Sequence, residues 1–186
     1  METRECIRTR RSIRRFTDQM ISDEILTELL EAVRWAPSWG NSQCWEIIVI
    51  KDQAIKEKLS ECIPASNPAP KGVAQAPVLI AICAKLGLSG YKKGQVMTNK
   101  GDWYMFDMGI AAQNLCLAAH DLGLGTVHVG TLDHDLVDEI LGLPEDVMSI
   151  ELIPVGYPAK EGKAPPRKEL QSFVYLNKYG EGFIQD

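Results

Sequence analysis

The stretch from Asp102 to Leu122 constrains the fold most, because alanine and leucine occupy much of its predicted helical circumference. A helix that is apolar on most sides has to be surrounded by other elements of the protein. Gly123 follows directly and marks its end, since glycine is common just after a helix. The sequence therefore predicts one long, central, buried helix around which the rest of the chain packs.

Shorter patterns predict strands and helices on both sides of this helix. Runs of β-branched and apolar residues predict strands at residues 47–50, 78–83, 126–129, 149–155 and, at the end of the chain, 173–176. Helices are expected at residues 2–10, from Ser22 to Ala36, from Asp52 to Cys62 with Ile55 on its buried face, and from Asp133 or His134 to Leu141. Pro64, Pro68 and Pro70 predict a loop, and so does the polar stretch from Lys85 to Gly101.

The alternation of strands and helices, taken alone, suggests a parallel α/β sheet. No GxGxxG motif follows the first predicted strand, so a Rossmann dinucleotide site is not supported. The glycine pair Gly123 and Gly125 follows a helix and precedes a strand, which is the wrong order for a phosphate cradle.

Composition excludes several classes of protein. The 186 residues, 45% of them apolar, fit one globular domain, and a net charge of −5 argues against general nucleic-acid binding. No apolar run approaches the roughly 20 residues that span a bilayer, and no export signal is visible, so we expect a cytoplasmic protein without a membrane partner. The five cysteines form no CxxC pair, so neither a disulfide framework nor a metal site is expected.

Arginine is concentrated at the N-terminus, where six of the eight arginines lie within the first 15 residues. So dense a positive cluster has to face negative charge. The residues themselves leave two choices open, namely the protein's own carboxylates or a phosphate group.

Four segments together resemble the nitroreductase family in order and spacing. They are residues 10–16 (RRSIRRF), 35–43 (WAPSWGNSQ), 107–126 (DMGIAAQNLCLAAHDLGLGT) and 155–158 (VGYP) followed by 166–168 (PRK). The resemblance implies an α+β fold, with a mostly antiparallel sheet flanked by helices, in an interlocked homodimer. It also implies that residues 1–168 form an FMN-binding domain and that residues 169–186 form an arm exchanged with the partner subunit. From the residues alone, an edge strand in its own subunit is the alternative for this arm.

The resemblance further implies which residues contact FMN. Arg10, Arg11 and Ser12 would hold its phosphate and ribityl end, Arg14 would reach the pyrimidine edge of the ring, and Arg167 would close on the phosphate. Arginine suits this task because its planar fork of donors matches phosphate oxygens. The alternative is a solvated basic surface.

Two more segments are implied to lie at the flavin. Pro37, Ser38, Trp39 and Asn41 would contact it from the other subunit, although a simple capping turn is the alternative. The chain at His128, Val129, Gly130 and Thr131 would run beside the isoalloxazine ring, with the Gly130 N–H directed at N5. The alternative for His128 is a buried or strand-end histidine without chemistry. Asp107 faces the site in some relatives and receives no role here.

The implied activity is the transfer of two electrons from NAD(P)H, through FMN, to a nitroaromatic, a quinone or a similar acceptor. No catalytic side chain is required, because the cofactor carries the chemistry and the protein supplies position and electrostatics. Two alternatives remain open. One is another reaction of the same superfamily, such as reductive dehalogenation or flavin fragmentation, and the other is a flavin-binding redox module without turnover.

Overall fold

The fold is centred on an antiparallel sheet in a computed structural model that describes residues 1–183. The strands are β1 (Trp45–Ile50), β2 (Val78–Lys85), β3 (Tyr91–Lys92), β4 (Gln95–Val96), β5 (Gly125–Thr126) and β6 (Val147–Gly156). The main sheet has the order β1-β2-β6-β5, and each neighbouring pair is antiparallel; β3 and β4 form a separate hairpin. The α+β fold is therefore confirmed, and the parallel sheet suggested by alternation alone is not formed.

Helices cover both faces of this sheet. They are α1 (Thr3–Thr9), α2 (Asp23–Arg34), α3 (Gln53–Glu61), α4 (Pro70–Gln75), α5 (Tyr104–Asp121) and α6 (His134–Leu141). One core packs α2 and α5 against the sheet, and the other packs α3, α4 and α6 against its opposite face. Strand β2 lies between both cores, so its side chains from Val78 to Ala84 are all buried. This explains its unbroken apolar sequence.

Helix α5 is the central element that its composition predicts. Its fully buried residues are Met108, Ala111, Ala112, Leu115, Cys116 and Ala119, together with the charged Asp107. One face near its N-terminus is uncovered, however, because Met105 and Phe106 are 60% and 59% exposed. The helix thus leaves an apolar strip outside the fold of the single chain.

Short polar side chains begin three of the helices as the sequence predicts. Ser22, Asp52 and Asp133 each accept a hydrogen bond from the backbone N–H three residues later. Such caps satisfy N–H groups that have no partner within the helix. Ile55 is not on the buried face of α3 as predicted, because 37% of its surface is exposed while Leu59 and Cys62 fill the core.

Three local expectations are wrong. The proline-rich segment contains α4, because a proline at the first turn of a helix loses no hydrogen bond that the helix would make. The predicted loop from Lys85 to Gly101 contains the β3-β4 hairpin, and the strand predicted at 126–129 is reduced to β5 and one bridge from Val129 to Leu152.

The C-terminal segment, residues 159–183, differs from the rest of the chain. None of these residues is buried, and the strand predicted at 173–176 is absent from the described part; only Tyr175 forms a bridge, with Gly182. Residues 184–186 of the predicted arm lie outside the described residues. Within residues 1–183, no helix is long and apolar enough to cross a bilayer.

Candidate functional site

A basic pocket brings together the two arginine segments that the family resemblance assigns to a phosphate. It measures about 250 Å³ and is lined by Arg10, Arg11, Ser12, Arg14, Lys163, Pro165 and Arg167. Arg167 is more than 150 positions from the cluster in the sequence, so the tertiary fold brings it close to the N-terminal arginines. Lys163 also lines the pocket, although it was not among the predicted site residues. No acidic residue of the described chain lines this pocket.

Backbone pairing positions the arginine segment. The N–H of Ile13 donates to the Thr126 carbonyl at 2.9 Å, and that of Thr17 donates to the Tyr157 carbonyl at 2.9 Å. The segment is extended here, so neighbouring side chains point to opposite sides. Ile13 is buried in the protein, and Ser12 and Arg14 therefore line the pocket.

Two glycines allow other segments to approach the arginines closely. A Cβ atom on Gly72 of α4 would lie 2.7 Å from the Arg14 carbonyl oxygen. A Cβ atom on Gly162 would lie 2.5 Å from the Arg11 Cβ atom. Any larger residue at either position would therefore push the arginine segment out of place.

The hydrogen bonds of the arginines favour an external anion over the protein's own carboxylates. Arg11 donates to the carbonyls of Arg8 and Arg10 at 2.7 and 2.8 Å, and Arg167 donates to the Pro165 carbonyl at 3.1 Å. Arg10 Nη1 is buried and has no hydrogen-bond partner among the described residues. A buried charged donor without a partner is costly. The pocket therefore fits a group with several anionic oxygens, such as the phosphate of FMN.

A second pocket of about 580 Å³ continues from Arg14. Its other lining residues include Pro68, Lys71 and Gln75, which lie in or just before α4. Lys71 was not among the predicted site residues, because the segment from Asn67 to Lys71 does not align cleanly with the family. The helix places this lysine near the residue predicted to reach the pyrimidine edge of the flavin.

The segment from Pro37 to Asn41 does not join the basic pocket of its own chain. Trp39 and Asn41 lie in a single 3₁₀ turn, and Pro37 and Asn41 are exposed. Ser38 Oγ accepts from the Gln43 N–H at 2.9 Å, so this side chain serves as a local cap. The contact between this loop and the FMN of another subunit, which the resemblance implies, stays a prediction.

Asp107 organises the loop although its role was left open. Its buried carboxylate accepts from the Trp39 N–H at 3.0 Å, Ser42 Oγ at 3.2 Å and Ser89 Oγ at 2.7 Å. Cys44 Sγ lies 3.6 Å away, and burial raises the pKa of this thiol to about 11, which keeps it a donor. An acid within an apolar helix was the signal for this role. Asp107 ties α5 to both neighbouring loops.

The segment from His128 to Thr131 leads away from the arginines along the chain. Ser12 pairs with Thr126, and a strand advances about 3.3 Å per residue, so Gly130 lies within about 13 Å of that pairing. Val129 is buried in the core, so only its backbone is available to a ligand. Thr131 is exposed.

His128 and Gly130 line a pocket of about 380 Å³. Among the described hydrogen bonds the Gly130 N–H has no acceptor. A Cβ atom at Gly130 would meet only the Ile150 carbonyl oxygen, at 3.9 Å, so the chain itself does not require glycine here. Space and a free donor at this position both fit close approach by a ligand.

His128 makes two polar contacts across this pocket. Nε2 lies 3.4 Å from Cys116 Sγ, and Nδ1 lies 2.9 and 3.0 Å from the two oxygens of Glu151. The hydrogen bonds to Cys116 and Glu151 raise the pKa of His128 to about 10, against its ordinary 6.5. Both contacts thus favour the charged form of the ring, which the sequence did not predict.

Comparison with known proteins decides the family. The model described as "Nitroreductase family" matches residues 7–157. The chain belongs to the nitroreductase family. The matched residues include most of the N-terminal arginine cluster, the segment from Pro37 to Asn41 and the segment from His128 to Thr131. The match ends before Arg167.

Individual nitroreductase-family relatives agree in sequence and in structure. An FMN reductase [NAD(P)H] of Bacillus subtilis is 32% identical, with 91% of this chain and 71% of that protein covered. The structure of the NADPH:FMN oxidoreductase of Vibrio harveyi, solved with NAD+, has a TM-score of 0.82 at 29% identity. The match covers 96% of this chain and 78% of the Vibrio harveyi chain. An FMN-dependent nitroreductase of Clostridium difficile has a TM-score of 0.79 at 26% identity, and the match covers 95% of this chain and 100% of that chain.

Proposed function

We propose that this protein is an FMN-dependent NAD(P)H oxidoreductase that passes two electrons to a small acceptor such as a nitroaromatic or a quinone. The observation that carries the proposal is the basic pocket, in which Arg10 has a buried, unpartnered donor and Arg167 closes from the far end of the chain. The names of the relatives supply the cofactor and the reductant. The predicted cytoplasmic location remains a prediction.

Each group of residues has a task in this proposal. Arg10, Arg11, Ser12 and Arg167 bind the phosphate, and Arg14 approaches the pyrimidine edge with Lys71 beside it. The Gly130 N–H remains free to donate to the ring. Bound FMN would supply two-electron transfer between the nicotinamide and the acceptor. The chain itself binds, orients and shields, and no side chain has to act as a nucleophile.

We further propose a homodimer in which the segment from Pro37 to Asn41 of one subunit completes the site of the other. Two apolar surfaces of the single chain support this. One contains Met105 and Phe106 on α5, and the other contains Leu170, Phe173, Leu176 and Tyr179 of the C-terminal arm, residues 169–186. Exposed apolar surface of this extent is typical of protein–protein contacts. The arm would pack on the partner, which leaves residues 1–168 as the FMN-binding domain.

The test is anaerobic reduction of the purified protein after its flavin has been identified. We expect FMN to be released on denaturation, and we expect NADH or NADPH to bleach the flavin absorbance before any acceptor is added. A nitroaromatic or quinone should then restore the absorbance. A protein that keeps FMN but is bleached by neither nucleotide would be a binding module without turnover. A protein that is bleached but reoxidised by neither acceptor would instead point to another reaction of the superfamily.

A further inference from the structure

The interaction between His128 and Glu151 is the feature of the site that the proposed function does not yet use. His128 lies just beyond β5, and Glu151 lies on β6. The two ring nitrogens of His128 have different partners, with Nδ1 on Glu151 and Nε2 on Cys116 of α5. A neutral imidazole carries one N–H, whereas the charged ring carries two and can donate to both. Because the Cys116 thiol can also donate to an unprotonated Nε2, the contact that favours the charged ring is the one with Glu151, whose two carboxylate oxygens lie 3.0 and 2.9 Å from Nδ1.

The two charges are not equally accessible from the pocket. The side chain of His128 is 35% exposed, whereas that of Glu151 is 12% exposed. Both residues line the pocket that Gly130 also lines, and the positive end of the pair is the more exposed one. Although the pair has no net charge, its dipole presents a positive potential to whatever occupies this pocket.

The other groups around this pocket do not cancel that potential. Tyr104 comes from α5, and His134 comes from α6 with its Nδ1 3.1 Å from the Ser149 carbonyl oxygen. The remaining lining residues are Met105, Gly109, Gly130, Met148, Ser149 and Ile150. Glu151 is thus the only carboxylate among the described lining residues, and it is bound to His128.

We propose that His128 is a fixed imidazolium which, held by Glu151, raises the reduction potential of the flavin bound beside it. This proposal rests on the proposed function, because it needs FMN to lie along the segment from His128 to Thr131. Two-electron reduction adds negative charge to the flavin ring, and a positive potential nearby stabilises that charge. His128 acts through its charge on the cofactor, and Glu151 is the positioning residue that keeps this charge in place.

The charge can first be tested without any cofactor. In the apo-protein, ¹⁵N NMR should show both nitrogens of His128 protonated, with no titration between pH 6 and 8. In Glu151→Gln the glutamine can still bond to the ring but carries no charge, so the pKa of His128 should fall below that of the wild type. A neutral His128 in the wild type at pH 7 would overturn the proposal, whether or not the protein binds FMN.

The second measurement is the reduction potential of the FMN-loaded protein as a function of pH. The double variant His128→Gln/Glu151→Gln removes both charges, and we expect its ratio of reduced to oxidised flavin at fixed potential to fall about tenfold, or about 30 mV for a two-electron couple. Glu151→Gln alone should show an extra step in potential at the lowered pKa of its His128, which the wild type lacks at that pH. His134→Asn is the matched control, as a histidine of the same pocket wall without a carboxylate partner.

The outcomes separate this proposal from the proposed function. Failure of every variant and of the wild type to bind FMN would contradict the proposed function. Normal FMN binding, with the potential of the double variant equal to that of the wild type and no extra step in Glu151→Gln, would contradict only the role of His128. A shift of equal size in His134→Asn would also contradict it, because the effect would then not depend on the charged pair.

Discussion

The sheet core and the C-terminal arm are built from similar residues but differ completely in burial. Strand β2 and helix α5 bury Ile80, Ile82 and Leu115 with no exposed surface. In the arm, Phe173 is 51% exposed and Tyr179 is 90% exposed. Burial of each large apolar side chain contributes about 1.5–3 kcal/mol, so the arm leaves several such contributions unused in the single chain.

This difference shows that the apolar side chains of the sheet core find packing partners within the single chain, whereas those of the arm do not. The core has partners for its apolar side chains on both faces of the sheet, so it should be stable in a monomer. The arm and the exposed strip of α5 acquire partners only in an assembly. The proposed homodimer would supply them, and it would also bring the loop at Pro37 to a second subunit's site.

The largest effect is expected from a cavity in the core. Leu115→Ala should lower the free energy of unfolding by about 2–5 kcal/mol, because the side chain is fully buried and its space cannot be refilled. Chemical denaturation of the dilute apo-protein would measure this loss. A loss below 1 kcal/mol would mean that the core is not as closely packed as the structure shows.

Removal of the arm should act on the assembly and not on the core. Truncation before Phe173 should lower the dimer content and the FMN content together, while the core of the monomer keeps its stability. Light scattering with flavin absorbance would measure both quantities, and Lys178→Ala, an exposed polar position in the same arm, is the control. A truncated protein that remains dimeric and fully loaded with FMN would contradict the exchanged arm.

Gly130→Ala tests the flavin segment with little risk to the fold. The added methyl group would meet only the Ile150 carbonyl oxygen at 3.9 Å, so the stability of the apo-protein should stay within about 0.5 kcal/mol of the wild type. FMN affinity should fall by about 1–3 kcal/mol, as expected when an atom intrudes on a packed contact. Unchanged affinity in a fluorescence titration would place the ring elsewhere.

The smallest effect concerns pH. The pKa of His128 in the folded protein, about 10, lies above its ordinary 6.5. Its stabilising contribution is therefore fully present below pH 6.5 and is lost as the pH rises towards 10. Because the side chain is about one-third exposed, we expect only about 0.2–1 kcal/mol. The difference in unfolding free energy between wild type and His128→Gln should shrink from pH 6.5 to 10, and a constant difference would contradict the charged pair.

Local chemistry made parts of this fold predictable from the sequence. The caps Ser22, Asp52 and Asp133 were recognised because a short polar side chain before a helical apolar pattern is commonly a helix N-cap. Helix α4 was missed because Pro70 was treated as a helix breaker although it opens a helix. The strand at 173–176 was wrong because strand formation needs a partner edge, which sequence cannot supply and the described chain does not offer.

The candidate site, like the fold, was predictable from the sequence only in part. The arginine cluster was visible in the sequence, and the resemblance pointed to Arg167, which only the tertiary fold brings to it. The charge of His128 depends on Cys116 and Glu151, which are 12 and 23 positions away. No sequence motif records such contacts, so neither the pair nor the buried anchor at Asp107 could be derived from spacing.

The central claim is that the basic pocket binds the phosphate of FMN. The most direct measurement is a comparison of FMN with riboflavin, which lacks the phosphate, in titrations of the apo-protein, its Arg10→Ala variant and an Arg34→Ala control on the surface of α2. We expect the wild type and the control to prefer FMN by more than tenfold. Arg10→Ala should lose about 1.5–3 kcal/mol of FMN affinity, the range for a hydrogen bond to a charged group, and almost none for riboflavin. Equal affinity of the wild type for both flavins, or no binding of either, would contradict the account.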